Sequence, residues 1–163
     1  MALDALLRQL ANDAGVPYAG LGEDGSCTLT FGDRTEVYIV PGQNDSRIHL
    51  IAPLPPLPEQ GSELLLHQML QAQTLGISTE DAYFGLDSTT GELLLFRHLT
   101  PAAMDHLEFR QCLETFLDVH QEWCDRLGVS LTPSEGEAQP REQAPLHAPE
   151  PPTLALPSNA LLV

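Results

Sequence analysis

Proline placement divides this chain before anything else is read from it. Of fourteen prolines, four lie between Pro53 and Pro58 and seven between Thr132 and Ser158. Proline has no backbone N–H to donate, and its ring clashes with the preceding helical turn. Neither stretch can therefore be helix interior or central strand. Pro53-Leu54-Pro55-Pro56-Leu57-Pro58 reads as a stiff connector of polyproline type. It joins two elements of one domain, so spanning distance explains it more simply than a free polyproline ligand. Residues 131–163 read as a disordered, Pro-rich acidic tail, with aromatic residues absent after Trp123. The terminal Ala160-Leu161-Leu162-Val163 is apolar but reads as a frayed end. Residues 1–130 are left as a single domain.

Within that domain the apolar spacing is informative. Leu3, Leu6, Leu7, Leu10 and Ala14 recur at three and four residues, which predicts an amphipathic helix over 3–14. Gly15 and Pro17 end it. Cys27, Leu29 and Phe31 alternate with polar residues, as in a half-buried strand. Gly32-Asp33 suits a type II′ hairpin turn into a second strand over 34–40. Pro41-Gly42-Gln43-Asn44-Asp45 is a longer turn. A third strand over 47–52 follows, with Ile48, Leu50 and Ala52 on one side.

After the connector, residues 59–75 predict a Leu-rich helix ended by Gly76. Strands follow around Ala82, Phe84 and Leu86 and over 92–99, joined by Ser88-Thr89-Thr90-Gly91. The second of these is apolar on both faces through Leu93-Leu94-Leu95-Phe96. A last helix runs from Thr100-Pro101 to Leu127, with Phe109, Leu113, Phe116, Leu117, His120, Cys124 and Leu127 on one face. The expected fold is α+β, an antiparallel sheet with flanking helices in the order α-β-β-β-α-β-β-α, followed by the Pro-rich tail.

Charge excludes several functions. The chain has seven Arg, no Lys and 23 acidic residues, a formal net charge of −16. A nucleic-acid binder needs a basic face to displace phosphate counterions, and none is available. An anionic membrane surface would repel the chain, and no segment has the length or apolarity for membrane insertion. The N-terminus lacks a signal-peptide pattern. Cys27, Cys112 and Cys124 show no disulfide or zinc spacing, which points to a reducing, intracellular address.

Reactive constellations are scarce. Phosphate-loop, dinucleotide, nucleophile-elbow and H-E-x-x-H motifs are absent, and without Lys no Schiff base can form. His120 and Cys124 stand one helical turn apart, below His106 and Cys112, so a site near His106, His120 and Cys124 is the alternative for a small intracellular enzyme or ligand-binding domain. A zinc site would want four converging ligands, and a thiol on an apolar stripe behaves as a small hydrophobe. His49, His67 and His98 read as isolated. Adjacent acids at Glu23-Asp24 and Glu80-Asp81 read as solvated turns. The expectation is no enzyme activity, no metal and no cofactor.

What remains is apolar surface. Leu64, Leu65, Leu66, Met69, Leu70, Ala72 and Leu75 spread over a wider arc than one sheet can cover. That width points to a partner subunit, the alternative being a helix buried deeply in its own domain. Surplus apolar surface on an acidic scaffold suits the holding of an extended polypeptide, by strand addition with side chains in apolar pockets.

These features together resemble the class I type III secretion chaperones, the CesT/Tir-chaperone family. The resemblance rests on the opening helix with Leu-Leu-Arg-Gln-Leu and on the strands 26–40. It continues in the helix 63–75 with Gly76-Ile77, in Tyr83-Phe84-Gly85-Leu86-Asp87 with Gly91-Glu92-Leu93-Leu94-Leu95, and in the acidic helix 105–127. It implies a cytoplasmic bacterial homodimer that binds the N-terminal region of secreted effectors. Such a chaperone keeps that region non-globular and presents it for secretion, with the secretion-system ATPase as a further partner. It implies effector contacts at Leu3, Leu6, Leu7, Leu10, Leu29, Phe31 and Phe96, and a dimer interface at Leu65, Leu66, Met69 and Leu70. The Pro-rich tail departs from the compact family pattern.

Overall fold

Alternating apolar residues need one covered face, and two helices supply the cover. The computed structural model describes residues 2–32, 35–42, 46–129 and 152–156. Helix α1 (Ala2–Ala14) precedes strands β1 (Cys27–Phe31), β2 (Thr35–Pro41) and β3 (Ile48–Pro53). Helix α2 (Ser62–Ala72), strands β4 (Ala82–Leu86) and β5 (Leu93–Leu99), helix α3 (His106–Val129) and strand β6 (Thr153–Leu156) follow. The sheet order is β4-β5-β3-β2-β1-β6.

Leu29, Val37, Ile39, Leu50, Ala52 and Leu95 point inward and are fully buried, packed with Leu7 and Leu10 of α1 and with Phe109, Leu113 and Phe116 of α3. Trp123, which the sequence-based helical face omitted, is the largest fully buried side chain. It meets Phe84 edge-on at 4.8 Å and carries the Arg126 guanidinium 4.6 Å from its ring centre. Leu117 and Cys124, expected on the same face, are half-buried at its margin. The polyproline connector is fastened to the body. Leu54 is buried, and its N–H donates to the Leu93 carbonyl at 2.8 Å.

Three expectations are corrected. The last helix does not start at Thr100, whose side chain makes no cap bond. Pro101–Ala103 forms a short 3-10 turn and Met104 is extended. Asp105 then caps the helix: Glu108 N–H donates to Asp105 Oδ1 at 2.8 Å, and Asp105 N–H to Glu108 Oε2 at 2.9 Å. This reciprocal box satisfies two amides that the helix itself leaves free. Helix α2 stops at Ala72 rather than Leu75, because Leu75 takes a left-handed backbone (φ 59°) inside the 3-10 turn Thr74–Gly76. In the first hairpin Phe31 pairs with Thr35. Gly32 has φ 59°, as a turn requires, while Asp33 lies outside the described residues.

The third correction concerns the tail. Within 131–163, residues Thr153–Leu156 form a strand rather than a solvated extension, pairing parallel with β1. The sheet is therefore mixed, not wholly antiparallel. Leu154 and Leu156 are 2% exposed. Burying two Leu contributes roughly 1.5–3 kcal/mol each. Fixing four backbone residues costs roughly 1–2 kcal/mol each. The backbone cost slightly exceeds that gain, and the ladder hydrogen bonds to β1, worth roughly 0.5–1.5 kcal/mol each, leave the strand held by a narrow margin. Ala160–Val163 lies outside the described residues.

Burial of Cys27 leads to one expected result. Desolvation pushes its thiol up from 9.0 to about 11. Below pH 9 the thiol is neutral folded or unfolded and contributes no pH dependence. Between about pH 9 and 11 only the unfolded thiol ionises, so folding stability falls with rising pH. Thermal melts of the wild-type chain should drop across that window, and Cys27→Ala should flatten part of the drop. An identical slope in both proteins would show that other groups carry it.

Candidate functional site

Among the described residues, no helix lies on the outer face of the sheet. No outward side chain of β2 to β5 is buried among the described residues. Strand register sets the arrangement there. Tyr38 pairs with Ile51, Ile51 with Phe96, and Phe96 with Tyr83, so one apolar row crosses four strands. The Tyr83 and Phe96 rings lie 5.9 Å apart, and Phe96 meets His98 at 5.5 Å. Gly85 permits this packing: a Cβ there would stand 3.1 Å from the Phe96 ring.

A histidine pair flanks the row. His49 and His98 are opposite residues on β3 and β5, with Nδ1 atoms 2.8 Å apart and rings edge-to-face at 4.6 Å. One ring must donate and the other accept. Desolvation first, then the neighbouring His49 and Arg47, hold His98 below the usual histidine pKa. The two residues read as isolated in the sequence are thus a contacting pair.

The expected effector contacts divide sharply. Leu3, Leu6, Leu7, Leu10, Leu29 and Phe31 are all buried in the chain's own core. Their periodicity marks the covered side of α1 and of β1, where the chain's own residues, β6 among them, lie over them. Phe96 alone of the seven sits on the open face, half-buried. Tyr83, 38% exposed, stands beside it and was not singled out from the sequence. No periodicity could have shown this, since the two rings meet across strands.

The expected dimer contacts divide as helix geometry requires. Leu65 and Met69, four residues apart, face inward and are buried. Leu66 and Leu70, one position on, are 42% and 62% exposed. Leu64, Leu75, Ile77 and Leu86 are exposed as well, and the outer edge of β4 is unpaired among the described residues.

The alternative site does not assemble. Fourteen residues separate His106 from His120 on one helix, roughly 21 Å along its axis at 1.5 Å per residue. His106 Nε2 lies 2.7 Å from Asp13 Oδ2 and thereby ties α3 to α1. His120 Nε2 donates to the Pro53 carbonyl at 2.7 Å, anchoring the connector. Cys124 Sγ is 3.6 Å from that same ring nitrogen. Burial, then Asp125, raises the Cys124 thiol pKa, the opposite of what a nucleophile needs. No three His, Cys, Asp or Glu side chains converge as a metal site among the described residues, and no described helix is long and apolar enough to cross a membrane.

Comparison with known proteins agrees with this geometry. The profile of the Tir chaperone protein (CesT) family matches residues 5–124. A search of curated proteins returned no match. Among solved structures, the ExsC–ExsE complex is similar at 24% identity and TM-score 0.65, over 77% of this chain and 92% of that one. The Yersinia pestis type III secretion chaperone SycH, in complex with a YscM2 fragment, is similar at 18% identity and TM-score 0.60, over 74% and 98%. The ExoU–SpcU complex of the Pseudomonas aeruginosa type III secretion system is similar at 19% identity and TM-score 0.57, over 81% and 99%. At these identities the likeness is one of fold.

Proposed function

The chain belongs to the CesT family of type III secretion chaperones, and from that premise we propose how its surfaces divide the work of holding an effector. The Tyr38–Ile51–Phe96–Tyr83 row receives apolar side chains of an extended effector segment. The single observation that carries this reading is that the row is apolar, spans four strands and has no helix over it among the described residues. The related structures are complexes of two proteins, one of them from a type III secretion system, which supports a protein guest of that system. The net charge of −16 keeps the loaded complex soluble.

The exposed Leu66 and Leu70 face joins two copies of the chain, which places two open sheet faces on one particle. The chaperone acts in the bacterial cytoplasm and hands its guest to the secretion apparatus, where the ATPase is a further contact. It performs no chemistry itself: the His120–Cys124 pair is spent on structural contacts.

Phe96→Asp tests the guest surface. Phe96 is half-buried on the outer face, so the charge lands in the row and not in the core. Co-expressed with its effector, the variant should keep its circular dichroism spectrum and capture at least about tenfold less effector, since an aromatic anchor is worth more than about 1.4 kcal/mol. Cys124→Ser should capture as much as wild type. Undiminished capture by a folded Phe96→Asp chain would move the guest elsewhere.

A further inference from the structure

Strand β6 differs from every other strand of the sheet. It is the only one paired in parallel among the described residues, it pairs with β1 alone, and residues 130–151 separate it from α3. Its ladder satisfies the edge of β1: Thr28 N–H donates to the Pro152 carbonyl at 2.8 Å, and Gly32 N–H to the Leu156 carbonyl at 3.0 Å. Leu154 and Leu156 fill two apolar seats while Thr153 and Ala155 face solvent. Pro152 rests against Gly22, where a Cβ would come within 3.2 Å of its ring. In the sequence, prolines at 152 and 157 bracket these four residues.

We propose that Thr153–Leu156 is a displaceable self-guest, which keeps the β1 edge closed until an extended segment with apolar side chains two residues apart takes its place. The identity of that segment as part of a secreted effector rests on the reading above; the seat itself does not. Three features specify the replacement. The backbone groups of β1 accept any extended chain. The two Leu seats demand apolar side chains at alternate positions. The absence of charged side chains from Pro151 to Val163, against a body of residues 1–130 with 19 acids and 6 Arg, means that an occupant without acidic side chains avoids repulsion from the acidic body. Its short length and single partner strand make release local, without opening the central strands. A tethered competitor at roughly millimolar effective concentration lowers the apparent affinity of any other occupant.

The probe is a labelled synthetic peptide of residues 151–158, Pro-Pro-Thr-Leu-Ala-Leu-Pro-Ser, titrated into the full-length wild-type chain and into full-length Leu154→Asp/Leu156→Asp. The peptide should bind the double variant at least about tenfold more tightly than wild type, because the self-guest no longer competes. In the variant, the Thr28 and Gly32 amides should exchange quickly and regain protection when peptide is added. Equal affinity for both chains, or binding to neither at millimolar peptide, overturns the proposal. Leu154→Ala/Leu156→Ala serves in the same comparison if the charged variant does not fold. In wild type, Thr28 and Gly32 should exchange at least about a thousandfold faster than the β3 amides. Exchange as slow as in β3 would make β6 a permanent core strand and refute its displacement. Effector capture by the double variant should exceed that by wild type, and equal capture overturns the guest's identity. The peptide result reads the seat independently, so failure of the chaperone reading and failure of this one are separable.

Discussion

The wild-type chain is expected to scatter light as a dimer, and a chain carrying Leu66→Glu and Leu70→Glu as a monomer at the same concentration, with its circular dichroism unchanged. Both side chains are already exposed in the single chain, 42% and 62%, so the monomer loses almost no packing. A two-fold interface presents the same patch twice, so four Leu leave it and four carboxylates enter. Each buried Leu contributes roughly 1.5–3 kcal/mol before the costs of association, and paired like charges add repulsion. A rise of at least about a thousandfold in the dissociation constant, roughly 4 kcal/mol, is the conservative expectation. The control is Leu65→Glu. That residue is 9% exposed and faces the core, so its substitution should unfold the monomer instead. A Leu66/Leu70 variant that remains a dimer would place the interface on another surface.

Trp123→Ala is expected to cost about 3–5 kcal/mol of folding stability, the range for removing a large aromatic side chain from a packed core. Trp123 is 1% exposed, and its edge contact with Phe84 joins α3 to strand β4. Removing it leaves a cavity beside Phe84 and strips Arg126 of the ring beneath it. The midpoint in urea should fall by more than about 1 M, given slopes of roughly 1–3 kcal/mol per molar for small proteins. Trp123→Phe, which keeps a ring against Phe84, should recover at least half of the loss. A Trp123→Ala chain within about 1 kcal/mol of wild type would mean that this part of the core collapses to fill the space.

Local patterns were legible and long-range pairings were not. Helix α1 and strands β1 to β5 lie within a residue or two of where spacing, turn residues and prolines put them, because those signals act over a few positions. Where helix ends depended on hydrogen bonds, the reading slipped. The Asp105–Glu108 box, five residues beyond the expected Thr100 cap, starts α3. The left-handed Leu75 shortens α2. Periodicity also identified the apolar face of α1 correctly but said nothing of what covers it. Leu3, Leu6, Leu7 and Leu10 proved to be the chain's own core, while the open surface lay on the other side of the sheet.

Amino-acid order alone determined that this chain is an acidic α+β domain without phosphate-loop, Schiff-base or zinc-ribbon chemistry, since composition and short-range spacing suffice for that. Tertiary structure decided which apolar residues are left over. Tyr38, Ile51, Phe96 and Tyr83 become one row only through the register of four strands, and His49 meets His98 across 49 residues. Thr153–Leu156 becomes a strand only because β1 offers an unpaired edge and two apolar seats. Four residues between prolines carry no strand signal of their own, and their pairing partner lies more than a hundred residues away.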